Sequence, residues 1–169
     1  DSGRNPELGE HQRYIRRAEH LAALALAARG AERDTAWAMS EENVGVVQAA
    51  ADAFARDGVD GWLEYFTDDV DYQAVEGAID DRGPIHGKDA LRAYMEDWVE
   101  MFDDVRVEPV EVIDAGDDTV IVVMRASGRP KGTSAEAELT LSFAGVNTIR
   151  DGKIARAREY WTREEALEA

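Results

Sequence analysis

Glu159 is the residue in this chain best suited to proton chemistry. It lies in the run Ile154–Trp161, where Ile154, Arg156, Arg158 and Tyr160 alternate with Ala155, Ala157, Glu159 and Trp161. Alternation of this kind defines the two faces of a strand. The preceding run, Ala135–Ile149, tells which face is inward. Ala135, Ala137, Leu139, Leu141, Phe143, Gly145, Asn147 and Ile149 share one side. That side is apolar and must cover a core, with Asn147 as its polar exception.

Asp151-Gly152 joins the two runs and is a hairpin signal. A two-residue turn would pair Asn147 with Arg156 and Gly145 with Arg158, driving two arginines inward. A three-residue turn with Gly152 left-handed pairs Asn147 with Ala155, Gly145 with Ala157 and Phe143 with Glu159. The register that buries alanines is expected, because a slip of one residue inverts every side chain. Glu159 then points inward. A buried carboxylate needs a partner or a proton, and a raised pKa makes it an acid or base near neutrality. The structural alternative is a carboxylate held by a hydrogen bond or at a wet rim. Asn147 either contacts a ligand or satisfies a backbone group. In this register the two lie roughly 13 Å apart, four residues of strand rise.

Tyr72 shares a face with Val70 and Ala74, so its hydroxyl either reaches a ligand or is a satisfied core hydroxyl. Trp62, Trp98, Phe143 and Trp161 are expected as pocket walls, or equally as ordinary core. His86 sits in a Gly-rich loop and is read as exposed. Asp80, Asp81 and Asp89 near it lack ligand spacing and read as solvated surface, and Asp68-Asp69 reads as a turn. There is no cysteine, which excludes disulfides, thiolate zinc sites and a cysteine nucleophile. No metal and no cofactor are expected.

The elements that must position these residues follow from periodicity. Ser40 is a helix cap ahead of Val44, Val47, Ala51, Phe54 and Ala55, and Gly58 stops that helix. A second short helix carries Trp62, Leu63, Tyr65 and Phe66. Val70–Ala74 reads as a strand and 75–87 as a loop. A third helix presents Leu91, Tyr94, Met95, Trp98 and Phe102 along one stripe. The period then changes to two. Val105–Asp114 and Thr119–Ser127 are strands, followed by the two runs above and a short helical tail over 162–169. Helices first and a meander afterwards define an α+β domain.

Residues 1–38 hold six basic and six acidic side chains, so the remaining residues carry the whole net charge of −17. An acidic body repels phosphate backbones, so nucleic acid is not expected as a partner. No apolar stretch approaches the ~20 residues of a membrane span, and no membrane partner is expected. The Ala-rich run Leu21–Ala28 and Met39-Ser40 divide the chain into an extension, 1–38, and a domain, 39–169. A secretory signal built from Arg16, Arg17 and the apolar run is the alternative to a plain extension. A cytoplasmic location is the expectation.

Trp62-Leu63-Glu64-Tyr65-Phe66-Thr67-Asp68-Asp69-Val70, Gly87-Lys88-Asp89-Ala90-Leu91 and Arg150-Asp151-Gly152-Lys153-Ile154 are similar to the SnoaL-like branch of the nuclear transport factor 2-like superfamily. The resemblance covers about residues 40–169. It implies a cone-shaped, curved antiparallel sheet wrapped by three N-terminal helices around an apolar pocket, commonly as a homodimer through the outer sheet face, where Ala144, Val146 and Tyr160 lie. Function varies widely on this fold. Tested against the related ketosteroid isomerases, the oxyanion tyrosine falls near Ala50, the base near Ala74 and the second acid near Gly145, so those groups are missing. The remaining constellation is Glu159 as acid or base with Tyr72 and Asn147. The expected activity is proton transfer, cyclisation or hydration of a small apolar substrate. Non-catalytic binding or sensing, and a homodimeric interaction module, are the alternatives.

Overall fold

The computed structural model describes residues 39–132 and 138–169. The expected extension, 1–38, and the start of the long strand at Ala135 lie outside the described residues. Residues 39–63 are helical (α1). Ser40, expected as the cap, already lies inside this helix, and its hydroxyl bonds the Asp114 carboxylate. Gly58, at φ 69°, supplies the expected left-handed break. The helix resumes after it and carries Trp62 and Leu63.

β1 (Phe66–Gln73) starts well before the expected Val70. Asp68 and Asp69 are therefore strand residues rather than a turn, paired with Lys88 at 3.1 Å and with Arg150. Val70 and Tyr72 alternate inward as the period-two pattern requires. The loop after Gln73 contains a short strand, β2 (Ile85–His86), so His86 is a strand residue, exposed as expected. α2 (Lys88–Glu100) buries Leu91, Tyr94 and Met95, spaced three and one apart on one stripe. It ends before Phe102, which opens β3 (Phe102–Gly116) and still packs its ring 5.5 Å from Trp98. β4 (Thr119–Pro130), β5 (Leu139–Arg150), β6 (Lys153–Tyr160) and α3 (Arg163–Glu168) complete the order.

The six strands form one curved, unclosed sheet in the order β2-β1-β6-β5-β4-β3. It is not wholly antiparallel: β1 and β6 run parallel, and all other neighbours are antiparallel. Breaks in register between Asp103 and Arg106, Pro109 and Glu111, and Asp114 and Gly116 interrupt the β3–β4 ladder. Bulges of this kind bend and twist long strands, which gives the sheet its concave face.

The β5–β6 hairpin corrects the expected register. Arg150 pairs with Lys153 across a two-residue turn, with Asp151 at φ 54° and Gly152 at φ 72°. Both values suit a type I′ turn. A break between Thr148 and Ile149 then places Thr148 opposite Arg156, so Ala155 is the extra residue of a bulge. Asn147 pairs with Ala157 and Gly145 with Glu159, in place of Ala155 and Ala157. The arginines are kept off the core by a bulge, where a longer turn was expected.

The concave face packs Val70, Tyr72, Val120, Val122, Ile149, Ile154 and Ala157 against Val47, Leu63, Leu91 and Tyr94 of the helices. Burial of each large apolar side chain contributes about 1.5–3 kcal/mol. On the other face Ile121, Ala144 and Ala166 form a separate cluster. Ala144, placed by sequence on an open outer face, is fully buried beneath α3, with Val146 and Tyr160 partly buried around it. A capping box between Thr162 and Glu165 holds α3 in place.

Candidate functional site

The concave face and the helices enclose a cavity of about 130 Å³. That is close to the ~150 Å³ apolar cavity known to take benzene, which sets the scale at a molecule about the size of a single ring. α1 contributes Val47, Ala50, Ala51, Phe54 and Trp62, α2 contributes Tyr94, Met95 and Trp98, and the sheet supplies the opposite wall. All seven residues singled out from sequence, Tyr72, Asn147, Glu159, Trp62, Trp98, Phe143 and Trp161, line it. Trp161 stands at its edge, 50% exposed.

Glu159 and Tyr72 meet inside the cavity. The Tyr72 hydroxyl donates to Glu159 Oε1 at 2.6 Å. The contact arises because β1 and β6 are parallel neighbours whose inward faces coincide. Burial of Glu159 raises its pKa from 4.5 to about 7, against the lowering effect of the Tyr72 hydrogen bond and with a further push from the Asp80 charge. Burial also holds the Tyr72 phenol well above its ordinary value, with the Glu159 charge adding to it. Tyr72 therefore stays a neutral donor.

A second pair stands beside the first. The Tyr94 hydroxyl donates to Asp80 Oδ2 at 2.7 Å. The rings of Tyr72 and Tyr94 lie 5.7 Å apart, and Trp62 meets Tyr72 edge-on at 6.4 Å. Burial, then the bond to Asp80, raises the Tyr94 phenol too. Asp80 is thus a cavity residue, where the sequence read as surface. Its neighbour Asp81 accepts from the backbone amides of Gly77 and Gly83 at 2.8 Å each, which pins the loop that carries Asp80 inward. Tyr94 was legible only as one member of an apolar stripe. The signal for more was its hydroxyl, which needs a partner once buried.

Asn147 sits closer to Glu159 than expected. The bulge makes them diagonal neighbours two residues out of step, roughly 7 Å apart, in place of 13 Å. Asn147 Nδ2 is spent on the backbone carbonyls of Val120 and Gly145, each at 3.3 Å. Its donor capacity is therefore structural. Gly145, directly opposite Glu159, adds no side chain of its own there, and the Cβ position it leaves vacant faces Asn147, Val122 and Met124 at 3.5–3.9 Å. Among the described residues no cluster of His, Asp or Glu is arranged to hold a metal, and no helix is long and apolar enough to cross a membrane.

A curved, unclosed sheet with helices packed against it is the fold of the nuclear transport factor 2-like proteins. Solved structures share it. A nuclear transport factor 2-like protein of unknown function from Burkholderia pseudomallei matches at 21% identity and TM-score 0.62, over 75% of this chain and 95% of that one. TerC, co-crystallised with polyporic acid, matches at 22% and 0.61, over 76% and 99%. A putative polyketide cyclase from Xanthomonas campestris matches at 20% and 0.58, over 76% and 96%. The family model for the SnoaL-like domain matches residues 47–157, and the chain belongs to that family. No curated protein matches it.

Proposed function

We propose that this protein is an acid–base catalyst that moves a proton on a small, largely apolar molecule held in the cavity. The observation that carries this reading is the Tyr72–Glu159 hydrogen bond inside a mostly apolar cavity. Tyr72 occupies Oε1 and fixes the orientation of the carboxylate. No described residue hydrogen-bonds Oε2, which is left for a substrate. Ionised, Glu159 takes a proton from carbon next to a carbonyl. Protonated, it returns one to the same substrate. A pKa of about 7 keeps both forms populated at neutral pH. Enolisation of this kind is the first step of an intramolecular cyclisation, in keeping with the putative polyketide cyclase among the structural neighbours.

The test is carbon-bound hydrogen–deuterium exchange followed by NMR on a panel of enolisable cyclic ketones and 1,3-diketones. Exchange by the wild type should rise with pH around a midpoint near 7. Glu159→Gln should lower it by about 10²–10⁴-fold. Exchange no faster than in buffer, or unchanged in the variant, sinks the catalytic reading.

A second reading, binding without chemistry, is favoured by Ala50 and Gly145. They line the cavity where related isomerases carry functional groups. Native mass spectrometry of the purified protein separates the two. A retained mass of a few hundred daltons with no exchange activity supports the binding reading, and the same spectrum tests the homodimer we propose alongside it.

A further inference from the structure

We infer that the cavity selects an organic cation, an ammonium group on an apolar body, over neutral and anionic molecules of the same shape. The inference rests on the reading that the cavity takes a small molecule and goes on to name its charge.

Its first ground is the charge of the wall. Glu159 and Asp80 both line the cavity, and among the described residues no lysine, arginine or histidine does. The partners of the two carboxylates are phenols, Tyr72 and Tyr94, which donate hydrogen bonds but bring no positive charge. Each phenol engages one carboxylate oxygen. The other has no hydrogen-bond partner among the described residues.

The nearby cations are occupied elsewhere. Arg82 lies over the Tyr94 ring, 5.9 Å from its centroid, and pairs with Asp97 at 2.8 Å. Arg158 and Arg156 are on the opposite face of β6, where they engage Asp71 at 2.7 and 3.8 Å. A neutral ligand that excludes water would leave these carboxylates charged and uncompensated, or protonated. An anion would be repelled. A cation offsets them directly.

The second ground is independent of the carboxylates. Trp62, Tyr72, Tyr94, Trp98, Phe143 and Trp161 all present rings to the cavity. Aromatic faces are electron-rich and attract ammonium groups, most strongly where water is excluded. Apolar neutral molecules would be served as well by leucine or valine. The acidic surface adds to the same preference, because a net charge of −17 concentrates cations near the mouth.

The test is calorimetric titration of the whole protein at pH 8 with three probes: phenyltrimethylammonium, its neutral isostere tert-butylbenzene, and benzoate. The ammonium should bind about tenfold or more tightly than the isostere, with benzoate weakest. Near pH 7 its binding should release protons, seen as a dependence of the heat on the buffer. The doubly neutralised variant, Asp80→Asn with Glu159→Gln, should lose the preference while melting cooperatively. Equal affinity for the isostere, tighter binding of benzoate, or no binding of the ammonium overturns the inference, and the wild-type comparison alone decides this even if the variant fails to fold. The outcome is separable from the catalytic reading. Exchange on neutral ketones without ammonium preference removes the cation and leaves the chemistry. Ammonium preference without exchange does the reverse.

Discussion

Glu159 costs the fold stability as soon as it ionises. Its pKa is about 7 in the native protein against 4.5 for an unburied glutamate, because leaving water penalises the charged form more than Tyr72 relieves it. The native state therefore holds its proton where the unfolded state has lost it. Stability is highest below pH 4.5 as far as this group is concerned, falls as pH rises from there to about 7, and levels off above. A shift of this size corresponds to about 3 kcal/mol between the two plateaus. Glu159→Gln keeps an acceptor for the Tyr72 hydroxyl and removes the ionisation. Denaturant unfolding should show the variant more stable than wild type at pH 8 and nearly equal to it at pH 4.5. A variant less stable than wild type at pH 8 would mean that the carboxylate is not desolvated in solution. The arrangement trades stability for a titratable group near neutrality, a common cost at catalytic sites.

At the scale of elements, the β5–β6 hairpin decides what the cavity contains. The two-residue turn and the bulge at Ala155 act in opposite directions on side-chain parity. The turn alone would bring Arg156 and Arg158 to the concave face, and the bulge restores Ala157 and Glu159 to it. Deleting Ala155 should therefore force a choice between losing the Asp151-Gly152 turn and burying Arg158. We expect a loss of about 3 kcal/mol or more in unfolding free energy, together with loss of Glu159-dependent exchange. Unaltered stability would show that the strand pairs equally well without the bulge. The neighbouring pair β1–β6 matters for a different reason. Only because these strands are adjacent and parallel does Tyr72 reach a carboxylate distant in sequence.

For the whole molecule, the dominant quantity is the net charge of −17. Among the described residues the ion pairs are mostly exposed, such as Arg56–Asp57 and Arg163–Glu111, and pairs of that kind contribute little. Self-repulsion among the excess carboxylates should outweigh them. Raising NaCl from about 0.02 M to about 0.5 M shortens the screening length to a few ångströms. The melting temperature should then rise by about 2–5 °C. A fall would mean that the surface ion pairs contribute more than the repulsion costs.

Sequence by itself determined the class of the fold, the family, the inward face of Leu139–Ile149 and the inward placing of Ala157 and Glu159, but not the burial of Ile154 in place of Ala155. These rest on local signals: period-two alternation in Leu139–Ile149, the stripe Leu91-Tyr94-Met95-Trp98, and the glycines at 58 and 152. Burying apolar area is a requirement that each segment states alone, and so Glu159 and Tyr72 could be marked as inward before their partners were known. The register beyond the Asp151-Gly152 turn was not legible. A bulge leaves no composition signal, and two devices that yield the same parity differ only in which residues finally meet. The pairing of Tyr72 with Glu159, the recruitment of Asp80 by a loop that Asp81 braces, and the placing of Tyr94 beside both were decided only by the tertiary structure. Each depends on two segments far apart in the chain arriving at one wall. Desolvation, the source of the Glu159 pKa and of the charge preference inferred for the cavity, is a property of the enclosure rather than of any residue in it.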